Sequence, residues 1–160
     1  MATSFETAIR ALTDAKAEFL IIGGFSAILH GSAHVTNDLD LFFPRTLDNL
    51  NCLARALAPY RPRLADLPAG LPFVWDAATL RNGTTFTLDT DLGRIDLLAE
   101  VSGIGSYPEA LADSMETELF GCRVRTLSLR HLIATKRAAG RDKDLLTLPE
   151  LESLLEAQEE

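Results

Sequence analysis

Cysteine is scarce in this 160-residue chain, which carries only Cys52 and Cys122. Two cysteines cannot build a disulfide framework, and these lack the close spacing of a zinc site, so they read as ordinary reduced thiols. Long apolar runs are missing as well. No stretch approaches the roughly 20 residues that cross a bilayer, and the first residues show neither the basic nor the apolar region of a signal peptide. The expected compartment is therefore the cytoplasm, with no membrane partner. Positive charge is in short supply: 15 Lys and Arg stand against 23 Asp and Glu, for a formal net charge of -8. That balance works against nonspecific binding to a long polyanion without excluding a local RNA site. Internal repeats and low-complexity blocks are absent from the sequence. What is plentiful is apolar side chain, 47% of residues, enough to give one domain, 1–160, a substantial core.

The few cations are unevenly placed. Arg123, Arg125, Arg130, Lys136, Arg137, Arg141 and Lys143 gather late, with only Asp142 opposing them inside that span. Charge alone leaves two readings open, a surface that neutralises a triphosphate and an ordinary solvated helix face.

Phe5, Ile9, Leu12, Ala15 and Phe19 recur at helical spacing, so an amphipathic helix is expected from about Ser4 to Ala17. The apolar run Phe19 to Ile22 reads as a buried strand, Phe25 to His30 as a short helix ended by Gly31, and Asp38 to Phe43 as a second strand closed by Pro44. Thr46 to Ala58 places Leu47, Leu50, Leu53, Ala54 and Leu57 on one helical face. Pro59 to Pro72 carries enough Pro and Gly to resist regular structure and reads as a loop, which admits both an acceptor-binding lid and a stiff surface connection. Phe73 and Trp75 behind it are either base-stacking rings or core. Thr84 to Leu88 and Arg94 to Leu98 form a hairpin around Asp89 to Gly93, and Glu118 to Phe120 and Arg123 to Thr126 form another around Gly121. Ser128 should cap a helix to about Ala139, followed by a last helix over about Asp142 to Ala157.

The chemistry lies in Gly23-Gly24 and Asp38-Leu39-Asp40-Leu41. On a strand, residues i and i+2 leave the same face roughly 6.6 Å apart, so Asp38 and Asp40 can reach ions lying between them. The paired glycines let the chain turn from a strand into a helix whose exposed N–H groups can hold phosphate. Asp96 alternates with Ile95 and Leu97, which makes it the candidate third ligand on a neighbouring strand. Each acid also has a bland reading: Asp38 could cap a turn, Asp40 could face solvent, and Asp96 could pair with Arg94 or Arg123. Three acids on one sheet face beside a diglycine turn favour a metal site. His30 and His131 read as satisfying local backbone groups.

Gly23-Gly24-Phe25-Ser26-Ala27-Ile28-Leu29-His30-Gly31, then Thr36-Asn37-Asp38-Leu39-Asp40, resembles the polymerase-β-like nucleotidyltransferase superfamily, especially its small bacterial members. The stretch from Leu127 to Leu145 is similar to the helical ending of those proteins, so the resemblance covers most of the chain. It implies an α+β fold, a small mixed β-sheet flanked by helices, of the palm type with C-terminal helices. It also implies a magnesium-dependent transfer, with two ions, of a nucleoside monophosphate from a nucleoside triphosphate such as ATP to an acceptor hydroxyl, releasing pyrophosphate. Asp38, Asp40 and Asp96 would be the catalytic, metal-binding trio. Gly23 and Gly24 would approach the β- and γ-phosphates, with Lys136 and Arg141 as further phosphate contacts. Acceptors in the superfamily include RNA such as tRNA, proteins and small molecules, and several members act in toxin–antitoxin systems, so a protein partner from the same operon is one expectation. The alternative is a non-catalytic nucleotide-binding or regulatory partner that keeps the fold. Two residues depart from the pattern: Gly24 stands where many members have serine, and His34 where related proteins often have arginine.

Overall fold

The computed structural model describes residues 4–68 and 70–160. Across the described residues the chain is an α+β protein with a mixed seven-stranded sheet. The first helix, α1 (Phe5–Asp14), buries Ala8, Ile9 and Leu12 on one face, as the spacing predicts. The strand β1 (Leu20–Ile22) is buried throughout and runs directly into α2 (Gly23–Leu29). That helix starts two residues earlier than the sequence expectation, because Gly23 itself takes the turn, with φ of 68°. Next come β2 (Asp38–Phe42) and α3 (Leu47–Leu57). The Thr46 side chain accepts a hydrogen bond from the Asn49 backbone N–H and starts α3 cleanly. Asn49, almost fully buried, also exchanges hydrogen bonds with the backbone of Glu18, which ties this helix to the entry of β1.

The Pro-rich stretch is not all loop. Ala58–Tyr60 forms a 3-10 turn, and Arg63–Leu64 forms a short strand, β3, against the edge of the sheet. An edge position needs few ladder hydrogen bonds, so the prolines on either side are tolerated there. Ala69 of that stretch lies outside the described residues. Behind it, Trp75 packs on the core and donates its Nε1–H to the Ala54 carbonyl at 2.8 Å, so this ring is structural.

A short helix, α4 (Ala77–Arg81), precedes β4 (Thr85–Thr90) and β5 (Gly93–Leu98), and another, α5 (Tyr107–Ala112), follows them. The β4–β5 turn is tighter than the sequence expectation, since Thr90 already pairs with Gly93. The chain ends with the hairpin β6 (Met115–Leu119) and β7 (Cys122–Thr126), then α6 (Leu129–Ala139) and α7 (Asp142–Glu159). Ser128 caps α6 by accepting the His131 N–H, and Gly140 closes it in the left-handed conformation.

The strand order is β3-β4-β5-β2-β1-β7-β6. The pair β2–β5 is parallel and central, flanked by antiparallel β1–β2 and β4–β5. Strand alternation sorts side chains onto two faces. Leu39, Leu41, Ile95, Leu97 and Ile21 enter one core with α1 and α3, whereas Leu20, Ile22 and Phe42 enter a second core with α6 and α7. Asp38, Asp40 and Asp96 fall on the second face. There the C-terminal helices cover the Leu20 and Phe42 end of the strands, and the acids lie at the end where an open cleft begins.

Candidate functional site

The cleft has a volume of about 580 Å³, and its lining includes Gly23, Asp38, Asp40, Asp96, Lys136 and Arg141. Gly24 lines the same cleft. All seven sequence-nominated site residues therefore meet in one place. The register explains the acids: Asp40 sits opposite Asp96 across the parallel β2–β5 pair, and Asp38 sits opposite Arg94. Parallel strands in register place like-numbered faces side by side, so a carboxylate on each strand becomes a neighbour of the other.

The carboxylates perturb one another. Burial, then the Asp96 carboxylate, then the Asp38 charge push Asp40 up to about 7, with Lys136 pulling the other way. Burial also raises Asp96, and the Asp38 charge adds to it; a hydrogen bond with Asp40, the Arg94 charge and a Thr87 hydroxyl counteract. Asp96 Oδ1 is buried without a hydrogen-bond partner. Of the two arginines that could pair with Asp96, Arg94 places its Nε 3.1 Å from Asp89 while its charge also acts on Asp96, and Arg123 places its Nη1 3.7 Å from Glu116.

A buried carboxylate oxygen with no partner, beside two further like charges, is the donor chemistry that a hard divalent cation satisfies. Among the described residues no three or more His, Cys, Asp or Glu side chains are gathered closely enough to enclose an ion by themselves. The orphaned Asp96 oxygen beside Asp38 and Asp40 fits the needs of magnesium, which takes one or two carboxylates from a protein and draws further oxygens from water and bound phosphate.

Gly23 belongs to this geometry for a steric reason. A Cβ at this position would collide with Oδ2 of Asp40, and its positive φ disfavours other residues in any case. The turn at Gly23 thus lies so close to Asp40 that no side chain fits between them. Thr36 fills the space beside Gly24, where an added Cβ would lie 3.0 Å from the Thr36 Cβ. A serine at 24 would have to displace it.

The late basic run separates in space. Arg123, Arg130 and Arg137 reach Glu116, Glu159 and Glu152, and Arg125 donates to Ser114, while Lys136, Arg141 and Lys143 line the cleft. His34 lines the cleft as well. Its loop is fastened to α7, where Glu150 accepts from the Ser32 hydroxyl at 2.5 Å and from the Ala33 N–H at 3.1 Å. His30 stays structural, its Nε2 bonded to the Leu127 carbonyl at 2.7 Å. His131 Nδ1 lies 3.7 Å from Asp113.

Sequence reasoning passed over Asp144. It is fully buried at the start of α7 and takes Arg141 Nε at 2.6 Å and Lys136 Nζ at 3.4 Å. Burial pushes its carboxyl up, but the hydrogen bonds and charges of Arg141 and Lys136 outweigh this and hold it below the usual carboxylate range. A legible signal existed: an acid three residues after Arg141 occupies the helix position that reaches back to the cap.

Comparison with protein-family models and with curated proteins returns no match. No helix among the described residues is long and apolar enough to cross a membrane.

Proposed function

We propose that this chain is a magnesium-dependent nucleotidyltransferase of the polymerase-β-like type, moving a nucleoside monophosphate from a nucleoside triphosphate to an acceptor hydroxyl. The observation that supports this reading best is the register of β2 and β5, which brings Asp40 against Asp96 with Asp38 two residues along the same face. The mixed sheet with helices covering one end of the acidic face supports the same fold assignment.

In this reading Asp38 and Asp40 hold the cations from one strand and Asp96 from the other. Bound magnesium would supply charge stabilisation at the attacking and leaving oxygens of an in-line displacement. Gly23 and Gly24 let the triphosphate come close to the sheet. Lys136 and Arg141, lining the same cleft, neutralise the phosphates that leave as pyrophosphate. The acceptor then has to approach from the other side, past Asp96. A second groove of about 630 Å³ opens there and shares Thr85, Glu100, Val101 and Ser102 with the first. Its charged lining residues are Arg45 and Glu100, and Arg45 already donates to the Arg81 carbonyl. A groove so poor in cations favours a protein or small-molecule hydroxyl over an extended RNA backbone.

The test is a screen of labelled ATP, CTP, GTP and UTP, with magnesium, against total tRNA, cell protein and aminoglycosides. Magnesium-dependent labelling of one acceptor class, lost in Asp40→Asn, supports the reading. Absence of labelling with every combination contradicts transfer. Tight triphosphate binding without pyrophosphate release favours the non-catalytic partner instead.

A further inference from the structure

Asp144 lies outside the carboxylate trio, yet among the described residues it is the acid that pairs with both cations assigned to phosphate. Its side chain is fully buried, while Lys136 is 18% exposed and Arg141 61% exposed. Both carboxylate oxygens are committed. Oδ2 accepts from Arg141 Nε at 2.6 Å and from the Arg141 backbone N–H at 3.3 Å, and Oδ1 accepts from Arg141 Nη2 at 3.2 Å and from Lys136 Nζ at 3.4 Å. The three residues span the corner where Gly140 breaks α6 from α7. Lys136 lies in the last turn of α6 and Arg141 caps α7, so a group that reaches across the corner ties the two together.

A buried carboxylate is costly unless its charge does something that a neutral side chain cannot. Capping α7 does not require Asp144 to take two guanidinium nitrogens of Arg141, nor an ammonium drawn in from the preceding helix. The bidentate fork fixes the plane of the guanidinium, and the shared oxygen fixes the distance from that plane to the ammonium. Arg141 keeps Nη1 for a ligand, and Lys136 keeps two of its three N–H donors.

We infer that Asp144 is a positioning residue: it holds Lys136 and Arg141 as one rigid cationic pair, spaced to grip the departing phosphates of a triphosphate. This rests on the nucleotidyltransferase reading, because the pair lines the same cleft as the acids and its charges act on Asp40. Replacing Asp144 with Asn keeps shape and one acceptor oxygen, but removes the charge that draws Lys136 inward.

The experiment is calorimetry of ATP and of inorganic tripolyphosphate, each with magnesium, on the full chain, Asp144→Asn, Lys136→Ala and the double variant, with thermal denaturation of each. The expected result is a loss of about 10-fold or more in affinity for both ligands in Asp144→Asn, and a Lys136→Ala effect that is much smaller on the Asn background than on the unchanged chain. A purely structural role would move the melting temperature and leave the two affinity losses to multiply. Asp144→Glu gives a second reading even if the Asn variant does not fold, since it keeps the charge and shifts it by one methylene: weaker tripolyphosphate binding in a folded Glu variant supports positioning, and unchanged binding overturns it. If the unchanged chain binds neither ligand, the nucleotide reading fails and this inference with it. If it binds both and Asp144→Asn binds equally well, only the positioning role is overturned.

Discussion

Asp40 and Asp96 stand opposite each other on the parallel β2–β5 pair, and the Asp96 carboxylate helps to hold Asp40 well above the usual carboxylate range. Two half-buried acids in that relation repel when both are ionised, and the repulsion is relieved by a proton or by a cation. Much of the chemistry expected of the cleft follows from that pair.

Removing one acid should cost function and not stability. In Asp40→Asn the repulsion disappears with little change in volume, so the melting temperature without cations should stay level or rise while magnesium-dependent transfer falls about 100-fold or more. Paired activity assays and thermal denaturation check this. Turnover retained in both Asp38→Asn and Asp40→Asn would remove these acids from the mechanism.

The same pair gives a pH dependence of definite sign. Asp40 is raised to about 7 in the folded chain, and its unfolded value is about 3.9. Between those values the folded state holds the extra proton, so this group contributes stability at the acidic end that is lost as pH rises through the folded value. Without divalent cations the chain should melt at lower temperature at pH 8 than Asp40→Asn does, and the gap should shrink as pH falls through about 7 and close only below the unfolded value of about 3.9. Magnesium should narrow the gap at pH 8 and have little effect at pH 5.

Gly23→Ala tests the close approach of backbone to carboxylate. The new methyl group meets Asp40 and the backbone is held at positive φ, so the variant should lose about 1–3 kcal/mol of stability by denaturant titration, with cation binding weakened as well.

Lys136→Ala should weaken triphosphate binding about 10-fold while lowering the melting temperature little. Arg141 still occupies both oxygens of Asp144 when the lysine is gone. Unchanged nucleotide affinity would return Lys136 to a structural role.

The acids and glycines were legible because their signals are local. A two-residue alternation on a strand fixes a shared face, and Asp38, Asp40 and Asp96 obey it. The strongly periodic helices were legible for the same reason, with Thr46 and Ser128 marking their starts. What escaped was either short or nonlocal. Helices α4 and α5 are too brief for periodicity, although Asp76 and Ser106 cap them in a readable way. The edge strand β3 exists because Arg63 and Leu64 find partners on β4, far along the chain. Asp144 looked like one more surface charge until folding buried it between Lys136 and Arg141. The basic run looked continuous in sequence, yet helix and strand geometry sent several of its arginines to glutamates away from the cleft.

The most direct test is anomalous diffraction from crystals grown with manganese and a non-hydrolysable nucleoside triphosphate. The expected result is manganese bound by Asp38, Asp40 and Asp96, with the triphosphate running between Gly23 and the Lys136 and Arg141 side chains. Manganese bound elsewhere, or a triphosphate held away from those acids, would contradict the assignment of this cleft to nucleotidyl transfer.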